Sequence, residues 1–327
     1  MARSTEAEPI TLEQSHKQTI KLLKKDLKQA AKELAAHEVR YLVDLYYQIQ
    51  QYRMRAANQQ RAALTPAEQE VADALKEEGI EASPDEATEP PAKPEVEPNA
   101  LVSWVYDEFL EIEALIKSAM DSYTMSSTLG EWSRSHVGIG PVICAGLMAH
   151  IDIKKAPTVG HIWSFAGLNP LVKWGKGEKR PWNAKLKVLC WKAGESFVKQ
   201  QNHKDDVYGK LYVARKQIEM AHNAAGDFKM QAEASLAAKK FGKDTQAFKH
   251  YTAGHLPPAR IQLRSQRWAV KIFLSHWHAV AFFLANGRLG PQPYSIDHLK
   301  HAHVIPIPNP EMVPGLVDAL KAAGRTA

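Results

Sequence analysis

The sequence predicts a mostly α-helical protein, and three observations lead to that fold class. Apolar residues recur at steps of three and four along several long segments, which is the helical period. No stretch of convincing length alternates apolar and polar residues as a strand would, and no internal repeat is found. The hydrophobic share of 45% over 327 residues is enough to bury a core, in one large domain or two ordinary ones.

The N-terminal part of the chain predicts a long helical arm. Apolar residues keep helical spacing from Ile20 to Tyr52 without an internal proline or glycine, which is typical of a coiled-coil-like helix. A second periodic run extends from Leu101 to Ala119, and the acidic, proline-rich residues 81–98 predict a flexible linker. We therefore expect an antiparallel helical hairpin that serves as an oligomerisation arm through residues 12–60 and 100–125.

Charge is divided unevenly along the chain. Residues 1–150 hold 15 Lys+Arg and 24 Asp+Glu, a net charge of −9, whereas residues 151–327 hold 27 and 12, a net charge of +15. A strongly basic half indicates a nucleic-acid partner. The alternative is a solvated basic surface without a partner.

Nothing in the sequence indicates a secreted or membrane protein. The N-terminal residues are polar and lack the apolar core of a secretory signal. Lys271 interrupts the longest apolar stretch, Trp268 to Ala285, which favours a buried amphipathic helix over a membrane span. Cys144 and Cys190 fall in helix-like segments and are expected to be reduced core residues of a cytoplasmic protein.

The segment "HVGIGPVICAGLMAHI", from His136 to Ile151, predicts a helix-hairpin-helix. Gly138 and Gly140 permit positive φ and close backbone approach, and Pro141 suits the first turn of the following helix. The preceding "SSTLGEWSRSH" can form the first helix. Such a turn exposes backbone N–H groups to a DNA phosphate without reading sequence. The alternative is a tight turn that only packs two helices together.

The hairpin and the segments after it resemble a known family. "GIGPVICAGLMAHI", "IWSFAGLNP", a basic Gly-rich loop and "NAKLKVL" come in the order found in the C-terminal domain of the "IS one-ten" insertion-sequence transposases, the IS116/IS902 group. The resemblance covers roughly residues 100–285. It implies DNA binding in a transposition or recombination setting, with DNA (duplex or branched) or structured RNA as partner. It also implies a nucleoid-associated location and a bacterial, phage or plasmid origin.

The resemblance carries over to particular residues. Gly138, Ile139 and Gly140 match the family's hairpin. The basic loop and the segment after it supply the other expected DNA-binding residues: Lys173, Trp174, Lys176, Gly177, Lys179, Arg180, Asn183, Lys185 and Lys187. Trp174 can stack on a base or a sugar, or it can simply anchor the loop.

Two departures from the family bear on catalysis. Full-length members begin with a RuvC-like domain whose acidic residues bind a divalent metal, and no such β-rich segment precedes residue 136. The family's loop serine is also missing, because Trp174 or Gly175 stands in its place. We expect a protein that is non-catalytic by itself and needs no cofactor. The alternatives are an active recombinase, using Mg²⁺ with a nucleophile or metal domain that is not identified, and a structural or RNA-binding protein of a mobile element.

A histidine-rich segment near the C-terminus is a possible metal site. His298, His301 and His303, beside Asp297, have a spacing that can bind Zn²⁺. A helix that runs into an extended tail would produce the same string.

These features predict seven segments. They are the N-terminal helix (1–80), the acidic linker (81–98), the returning helix (99–130), the helix-hairpin-helix transposase-like domain (131–220), a helical insertion (221–256), the final amphipathic helix (257–290) and an irregular, Pro-rich tail (291–327).

Overall fold

The structure is a computed structural model that describes residues 25–61, 99–172, 174–175, 177–238, 240–292 and 304–325. Within those ranges the regular structure is helical and no strand occurs, so the predicted mostly α-helical class is confirmed. The α-helices are α1 (Ala36–Arg61), α2 (Ala100–Thr124), α3 (Thr128–Arg134), α4 (Pro141–His150), α5 (Val159–Phe165), α6 (Ala184–Gln200), α7 (Tyr208–Ala224), α8 (Lys229–Ala238), α9 (Gln246–Thr252), α10 (Pro258–Asn286) and α11 (Leu316–Ala322). Short 3₁₀ helices occur at Ile153–Lys155 and Pro310–Met312.

The chain divides into two compact units. Among the described residues, the first unit takes in 25–28, 41–61 and 99–119, and the second takes in 29–40 and the residues from 120 onward. The helices α1 and α2 therefore contribute residues to both units.

In the first unit, polar side chains join α1 to α2. The Arg53 guanidinium bonds to the Glu113 carboxylate, with Nε 2.5 Å from Oε2. Further along α1, the amide of Gln60 donates to the hydroxyl of Ser103 at 3.4 Å. Because the later residue of α1 contacts the earlier residue of α2, the two helices run antiparallel to each other. The predicted linker, residues 81–98, lies outside the described residues.

The long N-terminal helix predicted from residue 20 is interrupted before α1. Residues 25–31 are helical, residues 32–35 form a turn, and α1 begins at Ala36. The carboxylate of Glu38 accepts a hydrogen bond from the N–H of Ala35 at 2.8 Å. An acidic residue three positions into a helix is a common N-terminal cap, and here the cap starts a new helix. The predicted residues before 25 lie outside the described ranges.

The core of the second unit is built around α10, which packs against α6 and α7. The rings of Phe197 on α6, Tyr208 on α7 and Phe273 on α10 meet with centroids 5.1 to 5.6 Å apart. A Cβ added at Gly194 would lie 2.6 Å from Cγ of Gln266, so the glycine allows α6 and α10 to approach closely.

By length and composition α10 also qualifies as a possible membrane-crossing helix, a property that buried core helices share. Its residues Val270, Leu274 and Trp277 are buried in the second unit. The cysteines Cys144 and Cys190 are free thiols and are buried, as the sequence predicted.

The C-terminal segment is not the irregular tail that the sequence predicted. It contains α11, whose residues Leu316 and Leu320 are buried, and the 3₁₀ helix at Pro310–Met312. The indole N–H of Trp132 in α3 donates to the carbonyl of Pro308 at 2.8 Å. The prolines of this segment alone predict no regular structure. Contacts with residues from other parts of the second unit, such as Trp132, stabilise it.

Candidate nucleic-acid interface

The turn between α3 and α4 contains the predicted hairpin residues. Ile139 is buried, and Gly138 has φ +93°, a conformation that favours glycine. A Cβ at Gly138 would lie 3.2 Å from Cδ1 of Phe197 and 3.3 Å from Oγ of Ser196. The guanidinium of Arg134 donates to the carbonyl of Ile139 at 3.0 Å and braces the turn. The glycine at 138 is thus required by the backbone and by close packing on α6.

Gly140 differs from Gly138 in both respects. It precedes the first residue of α4, with φ −77° and ψ 170°, and a Cβ added there would meet nothing within 4 Å. The first backbone bond of α4 runs from the N–H of Cys144 to the carbonyl of Gly140. The earlier N–H groups of the helix are left without intrahelical acceptors, as at any helix start. The space beside Gly140 is therefore open at the positive end of a helix.

The basic loop is organised around Trp174. Its indole N–H donates to the carbonyl of Glu178 at 2.7 Å, and the Glu178 carboxylate accepts from the N–H of Gly175 at 2.9 Å. The Arg180 guanidinium lies 5.0 Å from the centroid of the Trp174 ring. Gly177 has φ +92° and allows the loop to turn. The indole N–H thus anchors the loop, which is one of the two roles predicted for Trp174, and stacking on a base or a sugar stays a prediction. The predicted residues Lys173 and Lys176 lie outside the described residues.

The first residues of α6 join the loop to the helical core. The side-chain oxygen of Asn183 accepts from the N–H of Leu186 at 3.0 Å, so Asn183 caps α6. The ammonium of Lys187 lies 4.2 Å from the centroid of the Trp182 ring. Trp182 in turn packs against Gly167, where a Cβ would lie 2.8 Å from the indole. The predicted residues Lys179 and Lys185 are exposed in the same part of the chain.

A line of cations on α10 was not predicted. Arg260, Arg264, Arg267 and Lys271 are spaced by four, three and four residues and therefore share one face of the helix. Arg264 is paired with the buried Glu219, whose Oε2 lies 2.6 Å from Nε of the arginine. The other three have no carboxylate partner among the described residues. The same three-and-four spacing that identified the helix would have identified its cations.

The α10 cations and the loop cations form one group. Burial lowers the pKa of Lys187, and the nearby positive charges of Arg180 and Arg267 lower it further. Burial and then Arg267 lower the pKa of Lys271, whose ammonium lies 4.9 Å from the centroid of the Trp163 ring. We call Arg180, Lys187, Arg267 and Lys271 the cation row. Among the described residues no carboxylate pairs with any of the four.

The described residues offer no assembled catalytic centre. Ser196, Glu195 and His203 are residues of the types that form a nucleophilic set, and Ser196 lies beside the hairpin. The other two bond elsewhere: Glu195 accepts from the amide of Gln266 at 3.2 Å, and Nδ1 of His203 accepts from the N–H of Asp205. No group of three or more potential metal ligands occurs in the described part of the chain. The candidate zinc ligands His298, His301 and His303 lie outside it.

Comparison of the chain with protein-family models, with curated proteins and with solved structures gave no match.

Proposed function

We propose that this protein binds DNA in the transposition or recombination of a mobile element and does not cut DNA by itself. The observation that carries the proposal is the cation row, four positive side chains with no carboxylate partner among the described residues. Burial lowers the pKa of Lys187, Arg267 and Lys271, and nearby positive charges lower it further. Such a cluster is destabilised in isolation and is relieved by a bound polyanion. The resemblance to insertion-sequence transposases adds the biological setting.

The turn between α3 and α4 is proposed to act as the hairpin of a helix-hairpin-helix. Gly138 and Ile139 fix its shape from inside, and Gly140 leaves room for a phosphate at the start of α4. A phosphate there would be bound by backbone N–H groups and would carry no sequence information. Together, the cation row and the turn support binding to the phosphate backbone of DNA rather than to base edges.

The first unit is proposed to hold two copies of the chain together. Tyr41, Leu101 and Trp104 are large side chains exposed on α1 and α2. Two long helices with exposed apolar residues are suited to a helical interface with a second copy.

Fluorescence anisotropy over a salt series tests DNA binding directly. With about five or six phosphates neutralised, the logarithm of the binding constant for duplex DNA should fall with the logarithm of salt at a slope of about −5. The double variant Lys179→Ala, Arg180→Ala should flatten that slope by about two, because two phosphate contacts are lost. Arg288→Ala with Lys321→Ala removes two exposed cations that belong neither to the row nor to the loop and serves as the control.

Three results would contradict the proposal. The first is a slope unchanged in the Lys179 and Arg180 variant, which would remove the loop from the interface. The second is tighter binding to structured RNA than to duplex or branched DNA at the same salt, which would make RNA the ligand. The third is strand cleavage with Mg²⁺, which would make the chain an active recombinase.

A further inference from the structure

Three aromatic side chains lie exposed around the cation row. Their exposed fractions are 43% for Phe165, 42% for Trp174 and 52% for Trp191. Among the described residues, neither Phe165 nor Trp191 lies against another aromatic ring. Exposed aromatic surface of this size costs free energy unless a ligand covers it.

Each of these residues is linked, by a contact or by helix spacing, to the part of the fold that carries the row. The ring of Trp174 lies under Arg180. Trp191 comes one helical turn after Lys187 on α6, and its carbonyl accepts from the amide of Gln266, the neighbour of Arg267. The carbonyl of Phe165 accepts from the N–H at the start of α6, position 183, at 2.8 Å. Among the described residues of the second unit, the exposed large aromatic side chains are these three, and each lies in a segment linked to the cation row.

Two other indoles near the row have a different role. Trp182 is held between Gly167 and the ammonium of Lys187, and Trp163 lies under the ammonium of Lys271. One face of each of these two rings is therefore in contact with a lysine ammonium group. Phe165 and Trp191 carry no cation among the described residues, and Trp174 remains 42% exposed although Arg180 lies over its ring, so all three rings stay available to a ligand.

A ligand that satisfies both features has a charged backbone and flat apolar groups at regular intervals. Duplex DNA offers the charge, but its bases are already stacked on one another and hide their faces. An unpaired strand offers phosphates to the cations and base faces to the rings, with little dependence on sequence. We infer that the cation row with Phe165, Trp174 and Trp191 binds an unpaired DNA strand, an inference that rests on the proposed function and names the form of DNA this surface takes.

The test compares a blunt duplex with the same duplex carrying an unpaired tail on either strand. We expect the tail to raise affinity about tenfold at equal salt. Trp191→Ala and Phe165→Ala should each remove most of that gain and leave blunt-duplex affinity unchanged. Trp191→Phe should restore much of the gain because the ring is kept. Met230→Ala, at an 84% exposed apolar side chain on α8, is the control.

Folding and contact are checked separately. All these side chains are at least two-fifths exposed, and circular dichroism with thermal unfolding confirms that each variant is folded. Photo-crosslinking from a halogenated uracil in the tail should reach Phe165, Trp174 or Trp191. Crosslinks found only at other residues would overturn the inference.

The remaining outcomes separate this inference from the proposed function. If the tail adds no affinity while the blunt duplex binds with the expected salt dependence, the inference about an unpaired strand is overturned and the proposed DNA binding is not. If Trp191→Ala weakens binding of the blunt and the tailed duplex equally, the inference about an unpaired strand is likewise overturned. Binding of the unpaired strand without binding of the blunt duplex supports the inference and contradicts duplex binding. Failure to bind any DNA overturns both, and a preference for an RNA strand of the same sequence overturns the assignment to DNA.

Discussion

At the scale of single residues, the two glycines of the α3–α4 turn do different things. Gly138 adopts a positive φ and packs against Phe197, so the fold itself requires a glycine there. Gly140 has an extended backbone that any residue can adopt, and open space lies beside it. Nothing within the described structure requires a glycine at 140, whereas a phosphate approaching the start of α4 would.

Replacing each glycine by alanine separates fold from binding. Gly138→Ala should lower the free energy of unfolding by about 1–2 kcal/mol, because an L-residue is disfavoured at that φ. Gly140→Ala should change it by less than about 0.5 kcal/mol and still weaken duplex binding several-fold. Urea unfolding and anisotropy measure the two effects. Unchanged duplex affinity in the Gly140 variant would show that no ligand approaches this residue.

At the scale of helices, one carboxylate joins α7 to α10. Glu219 is 1% exposed and bonds to Arg215 on its own helix and to Arg264 on α10. The same bond takes Arg264 out of the cationic face of α10, so three of the four cations on that face remain for a polyanion. The pairing therefore affects both the packing of the unit and the charge that it presents.

Glu219→Gln should lower the free energy of unfolding by about 2–3 kcal/mol, because two partly buried guanidinium groups lose their counter-charge. Glu233→Gln changes an exposed carboxylate on α8 and should have little effect. Urea unfolding of both variants measures the difference. Equal stability of the two variants would mean that Glu219 contributes no more than a surface residue.

Helices were predictable where local pattern decides them. The apolar periodicity predicted α2 and α10, and "SSTLGEWSRSH" predicted α3. The break before α1 was missed because it depends on one cap, Glu38, within a run that keeps its period. The C-terminal α11 was missed because it is short and lies among prolines, and its burial of Leu316 and Leu320 depends on distant residues.

At the scale of the whole molecule, buried histidines make stability depend on pH. Burial lowers the pKa of both His136 and His276 from 6.5 to about 4. His276 shares a hydrogen bond with Tyr208 at 2.9 Å, while Nε2 of His136 has no partner among the described residues. The unfolded chain binds protons near pH 6.5 and the folded chain does not, so acid favours unfolding.

The free energy of unfolding should therefore be highest above pH 6.5 and fall as the pH drops towards 4. Each such histidine contributes up to about 3 kcal/mol to that loss. His136→Phe keeps an aromatic ring, removes the titrating group and should lose less stability over this range than the unaltered protein. His37→Phe, at an exposed position, is the control. Urea unfolding at several pH values decides, and identical pH profiles for the His136 variant and the unaltered protein would contradict the prediction.

Only part of the candidate interface was predictable from the sequence, because some of its residues are far apart in the chain. Local sequence pointed to the α3–α4 turn and to the loop around Trp174, because their glycines and lysines are close together in the chain. The contribution of Arg267 depends on the packing of α10 against α6, which brings it near Lys187 from eighty positions away. No local pattern contains that proximity. The role of Trp174 stayed open for a different reason: no sequence pattern shows whether its indole N–H bonds to the carbonyl of Glu178, four residues away.

The hydrogen bond from Trp132 to the carbonyl of Pro308 has a consequence for synthesis on the ribosome. The two residues are 176 positions apart, and Asn309 adds a bond to Ser135 at 2.8 Å in the same place. While the chain is being translated, α3 emerges long before the segment that completes its surroundings. The nascent protein must therefore carry an incomplete α3–α4 region until residues 308 and 309 have been synthesised, and contacts between such distant residues form slowly. The region that we propose binds DNA therefore matures later than its own residues are made.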